Sequence, residues 1–161
     1  MNGPVPILVL CLGNRLRGDD ALGLNVGEAL QKRALEGAVI RCSTLSGPYL
    51  LDEIEGYDAA IIVDAICTGD RPPGSVRILT LEDLRAPNPH STHGIGIRSL
   101  VDRARELGLS VPRMIRIVAA EISENMSLEE GLSEDVAAAI PVIMEAVESQ
   151  LAEMAAEIAG G

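Results

Sequence analysis

The sequence predicts an α/β fold: a three-layer sandwich on a mostly parallel five-stranded sheet, with one antiparallel edge strand and helices on both faces. Three observations lead there. The apolar run Ile7 to Leu12 shows no alternation, as expected of a strand covered on both sides. The order β-α-β-α-β is complete by residue 64, which argues for parallel strands joined by right-handed crossovers. The strand-like stretch Ser75 to Thr80 has no crossover helix before it, so it is expected to lie antiparallel at an edge.

The elements follow in order. After Ile7 to Leu12, a loop punctuated by Gly13 and Gly18 leads into ALGLNVGEALQKRALEG. There Leu22, Val26, Ala29, Leu30 and Arg33 fall near one helical stripe, and Gly37 stops it. Ala38 to Ser43 reads as the second strand, and Gly47-Pro48 opens a short helix running through Ile54 to Gly56. Ala59 to Val63 is the third strand, ending at Asp64. The loop AICTGDRPPG cannot be helical, and LEDLRAPNPHSTHGIG is irregular and long enough to suggest function. Ile97 to Leu107 is a helix stopped by Gly108, and Met114 to Ala120 a strand running into Glu121. From Ser133, the expected N-cap, the chain is helical. Pro141 predicts either a kink or two helices in succession. No repeat or linker is visible, so residues 1–161 are expected to form a single domain.

Composition narrows the functions. A chain of 161 residues can bury about 70% of its extended surface. With 47% apolar residues but no Phe or Trp and two Tyr, the core must be aliphatic, and stacking on bases has little to work with. The net charge of −11 disfavours nucleic acid and anionic membranes as partners and favours a cation or basic peptide. Neither a signal peptide nor a spanning segment is legible. Cys11, Cys42 and Cys67 form no metal or disulfide pattern, and two of them lie in strands expected to be buried; a reduced, cytoplasmic protein is expected.

The loop after the first strand carries the chemistry. Gly13 and Gly18 have phosphate-loop spacing, but Asp19 and Asp20 follow where Lys and Ser/Thr would stand, and carboxylates repel phosphate. That weakens a flavodoxin-like nucleotide binder. A helix cap uses one aspartate, and here there are two. If the first and third strands are neighbours, Asp20 and Asp64 share a crevice at the carboxyl edge, the usual ligand position in such sheets. His93, in the long loop, would complete a set suited to a borderline divalent ion such as nickel, zinc or manganese. His90 is an equal candidate by spacing. Cys67 offers a fourth ligand or a nucleophile but has no base near it in sequence, and an inert thiol is expected; Glu121 and Glu124 either support the site or form a solvated loop, the reading favoured here. Neither a serine elbow nor an H-E-x-x-H helix is present.

LGNRLRGDDALG after the first strand, IIVDAI with GDRPPGSV, STHG before a helix, and EISENMSLEEGLSEDVAAAIP together resemble the nickel–iron hydrogenase maturation endopeptidases, in that family's order. The resemblance implies a cytoplasmic endopeptidase that removes a C-terminal extension from a nickel–iron hydrogenase large-subunit precursor once nickel is inserted. It implies that Asp20, Asp64 and His93 are the metal-binding and catalytic positions. Nickel would arrive with the substrate, and zinc or cadmium could occupy the same site. Metal-activated water, with Asp19 or Asp64 as base, is the expected attack. Because only neutral imidazole ligates, cleavage should weaken as pH falls toward the reference histidine value of about 6.5. The alternative is a non-proteolytic nickel carrier or sensor of hydrogenase assembly using the same triad.

Overall fold

The computed structural model describes residues 5–84, 94–124 and 131–161, with the side chains of 94–96 excepted. Five strands form one sheet: β1 (Ile7–Leu12), β2 (Ala38–Ser43), β3 (Ala59–Ile66), β4 (Val76–Thr80) and β5 (Met114–Glu121), in the order β2-β1-β3-β5-β4. All neighbours are parallel except β4, which pairs antiparallel with β5 at the edge, as its missing crossover predicts. Four helices pack on the sheet: α1 (Leu22–Gln31), α2 (Leu50–Ile54), α3 (Gly94–Glu106) and α4 (Glu134–Gly160).

The two-residue period of the strands divides the core. Ile7, Val9 and Cys11 of β1, with Ile61 and Val63 of β3, face Leu22, Val26 and Leu30 of α1 and Val136, Ile143 and Val147 of α4. Leu8, Leu10, Leu12 and Ile62 face Leu50 and Ile54 of α2 and Ile97 and Val101 of α3. Each such fully buried aliphatic side chain contributes about 1.5–3 kcal/mol. Neither tyrosine joins the buried core. Tyr49 is exposed, and Tyr57 is half-buried with the Arg41 guanidinium 5.7 Å from its ring centre.

Gly23 brings α1 down on the sheet. A Cβ there would lie 1.9 Å from the Leu12 carbonyl oxygen and 3.0 Å from that of Val63. Both obstacles are backbone, so no side-chain movement could make room. The start of α1 is thereby pressed between the carboxyl ends of β1 and β3.

Four expectations need correction. The first helix stops at Gln31 rather than near Gly37, because Ala34 takes a positive φ of 47° that no helix accommodates. β3 continues past Asp64 to Ile66, held by its pairing with β5 as far as Ile66–Glu121. At Pro141 only the two-helix alternative falls away, since α4 runs through it as one helix. Its missing N–H frees the carbonyl of Ala137, and both residues are exposed, so water can bond there instead. Of the two strand cysteines, Cys11 is buried, but Cys42 is exposed because β2 is an edge strand.

Candidate functional site

The connections leaving β1 and β2 place α1 and α2 on opposite faces, and β2 and β3 lie on opposite sides of β1. The carboxyl ends of β1 and β3 are therefore a topological switch point, where a crevice opens naturally. Asp20 and Asp64 are both there. Cys11 is in register with Val63, so Asp64 stands beside the last residue of β1. Asp20 lies in a 3-10 turn, Gly18–Ala21, that folds back over the end of β1 and touches β3. The Asn14 N–H donates to the Asp20 carbonyl at 3.0 Å, and a Cβ on Gly13 would sit 2.5 Å from that same oxygen. Asp20 is 1% exposed and Asp64 2%. Oδ1 of Asp64 accepts the Ala65 N–H at 2.8 Å.

His93 and His90 lie outside the described residues, but the helix that follows His93 does not. The residues after α3 lie at the amino edge: the Gly56 N–H reaches the Ser110 carbonyl and the Arg113 N–H the Asp58 carbonyl, just before β3 begins. α3 has 13 residues and is about 20 Å long, so its first residue, Gly94, lies toward the carboxyl edge. It also touches the Gly47–Tyr49 turn just beyond β2. By strand alternation Asp64 points to the face that α3 covers. Among the described residues alone, no three His, Cys, Asp or Glu side chains form a metal-binding group.

Asp19 behaves differently from its neighbour. The helix-cap reading fails for both aspartates, because the N-cap of α1 is Ala21 and no side chain caps it. Asp19 instead reaches α4: the Ser133 N–H donates to Oδ1 at 2.6 Å and the Ser133 hydroxyl to Oδ2 at 2.9 Å. Both oxygens are held, which disfavours Asp19 as a base. Ser133 is the N-cap residue of α4 as expected, but its hydroxyl points to Asp19 rather than to its own helix.

Glu121 is not in a solvated loop. At 1% exposure it accepts from the Thr68 N–H at 2.7 Å, the Gly69 N–H at 2.8 Å, the Thr68 hydroxyl, and the Arg77 guanidinium at 3.1 Å. It thus fastens the turn that leaves β3 at Thr68 and Gly69, directly after Cys67. An acid directly after a buried strand carried the only hint of this in the sequence. Cys67 itself is buried, and burial, followed by the Glu124 and Glu121 carboxylates, raises its thiol above the ordinary range. The thiolate is therefore scarce at neutral pH. Cys67→Ser is expected to process substrate at the parental rate, as is protein treated with a thiol alkylator; loss of activity in folded Cys67→Ser protein would move the chemistry to the sulfur.

A basic cavity of about 270 Å³, lined by Arg105, Arg113 and Arg116, lies by the amino end of β5, at the opposite edge from the carboxylates. Arg116 there is already committed to Glu153 and Glu157 of α4.

Fold and site together define an α/β sandwich protein with two buried aspartates at the carboxyl edge of its switch point. A family model described as hydrogenase maturation protease matches residues 24–150. The chain is 32% identical over 155 residues to the hydrogenase 2 maturation protease of Escherichia coli K12, covering 94% of this chain and 93% of that one. It is 27% identical over 156 residues to the hydrogenase expression/formation protein HupD of Thiocapsa roseopersicina, covering 90% and 69%. The solved hydrogenase maturating endopeptidase HybD from E. coli superposes with a TM-score of 0.81 at 32% identity, over 92% of this chain and 93% of that one. The chain belongs to the hydrogenase maturation protease family. It is an endopeptidase, a hydrolase of peptide bonds, and the non-proteolytic carrier gives way to that membership.

Proposed function

We propose that this enzyme removes the C-terminal extension of a nickel–iron hydrogenase large-subunit precursor, and that Asp20, Asp64 and His93 recognise nickel already seated in that substrate. The observation that carries the reading is the placement of two almost fully buried carboxylates at the carboxyl ends of adjacent strands. Two carboxylates brought to one crevice offer oxygen donors that a divalent cation can share. Two carboxylates with one imidazole, leaving positions open, suit nickel, and zinc or cadmium could enter the same donor set. His93 directly precedes Gly94, and α3 starts toward the edge where the acids lie. In this reading the ion is cargo of the substrate, and the enzyme's carboxylates test whether insertion is complete. Hydrolysis adds water across the scissile C–N bond. With both Asp19 oxygens engaged by Ser133, Asp64 is the better placed carboxylate to take the water's proton.

No helix among the described residues is long and apolar enough to cross a membrane. The deciding experiment offers the enzyme nickel-free and nickel-loaded precursor and weighs the released tail. Only the loaded form should be cut. Equal cleavage of both would overturn the nickel-reading role of the acid pair.

A further inference from the structure

We infer that Asp19 is a positioning residue: through Ser133 it fixes the loop that presents Asp20 to the rigid amino end of α4. This rests on the reading of Asp20 as a nickel-recognising ligand. The exposed arm of the loop gains most from such an anchor. Arg15, Leu16 and Arg17 are exposed, and the bonds within the loop are local: Leu16 N–H to Asn14 Oδ1, Arg17 N–H to the Asn14 carbonyl, Asp20 N–H to the Arg17 carbonyl. These bonds shape the exposed arm, and burial of Gly18, Asp20 and Ala21 seats the end of the turn on the sheet, to which the clasp adds a tie to a separate element. The Arg15–Glu28 ion pair is exposed on both sides and holds little. At one end the Gly13 N–H reaches the Ser43 carbonyl. At the other, the clasp between Asp19 and Ser133 spans 114 residues of sequence.

The clasp suits the task. Both its hydrogen bonds are charge-assisted, and a carboxylate at a helix amino terminus is further favoured by the helix dipole. α4 is a firm mount, because Val136, Ala139 and Ile143 in its first turns are buried in the core. In a 3-10 turn successive side chains point about 120° apart, so Asp19 can reach out to α4 while Asp20 turns inward. One residue is the tether and the next is the tool.

The test measures initial processing of nickel-loaded precursor per folded enzyme molecule for Asp19→Ala, Asp19→Asn, Ser133→Ala and the Asp19→Ala/Ser133→Ala double variant. Loss of a residue that orients a ligand lowers activity about 10–100-fold, the fall expected for Asp19→Ala. Asp19→Asn can accept the Ser133 N–H and donate to its hydroxyl, so it should stay within about threefold of the parent. The double variant should be no worse than Asp19→Ala, because both substitutions break one clasp. A merely stabilising contact would change the folded fraction and leave the rate per folded molecule alone. The inference is overturned if Asp19→Ala works at the parental rate, if Asp19→Asn falls as far as Asp19→Ala, or if the two losses multiply. Should Asp19→Ala fail to fold, Ser133→Ala, which deletes one arm, carries the test; a parental rate there overturns the inference. Asp20→Ala runs alongside. Parental processing by that variant overturns the ligand reading and this inference with it. Its loss beside a parental Asp19→Ala rate overturns the positioning role alone.

Discussion

Asp20→Ala and Asp64→Ala are each expected to fold and to lose precursor processing by more than about 100-fold, since even residues that only support a ligand cost that much. Folding should survive because both stand at the carboxyl edge of the sheet, outside the two aliphatic clusters that hold the fold together. His93→Ala should behave in the same way. The double variant Asp20→Ala/Asp64→Ala should be no worse than either single, because ligands that act as one unit are grossly non-additive. Tail release followed by mass, on protein whose helicity matches the parent, decides the matter. A folded Asp64→Ala enzyme that still processes would overturn both roles proposed for this residue, ion recognition and proton acceptance.

Glu121→Ala is expected to have the largest effect on stability. Arg77, 17% exposed, would lose its carboxylate, and the Thr68 and Gly69 N–H groups their acceptor. Breaking one side of a buried pair costs about 3–5 kcal/mol. For a chain of this size that lowers the thermal midpoint by roughly 10 °C. Glu121→Gln should be far milder, about 1–2 kcal/mol, since its amide still accepts both N–H groups and can donate to the Thr68 hydroxyl. It should retain processing, because the amide keeps the Thr68 and Gly69 N–H bonds that fix the β3–β4 turn. An Ala variant melting with the parent would show that the turn finds other partners.

The strands were legible because unbroken apolar runs such as Ile7 to Leu12 and Ala59 to Val63 have few other readings in a chain without aromatic residues. That Asp20 and Asp64 stand at the same edge of the sheet could be anticipated from topology alone, since it required only that β1 and β3 be neighbours. What escaped depends on distant parts of the chain. The partner of Asp19 is 114 positions away, and Glu121 finds its donors 52 and 53 residues earlier. No periodicity records such pairs. The extension of β3 beyond Asp64 was hidden for a related reason: strand ends follow the neighbouring strand, here β5, rather than local sequence. The early end of α1 lay in Ala34, whose left-handed backbone nothing in its residue type foretells. His93, the third member of the expected triad, lies outside the described residues.

The aliphatic core has a spectroscopic consequence. With Tyr49 in solvent and Tyr57 at the margin against Arg41, almost no chromophore reports on interior packing. Absorbance near 280 nm is faint, and the near-ultraviolet dichroism that usually separates a native protein from a molten globule is weak even when packing is intact. A variant could lose its fixed interior and leave that band nearly unchanged. Peptide-bond dichroism and calorimetric heat capacity are the signals that register this protein's unfolding. The same darkness has a use: a precursor tail carrying one tryptophan would be the brightest fluorophore in the mixture, and its release could be followed against an enzyme that contributes almost nothing to the signal.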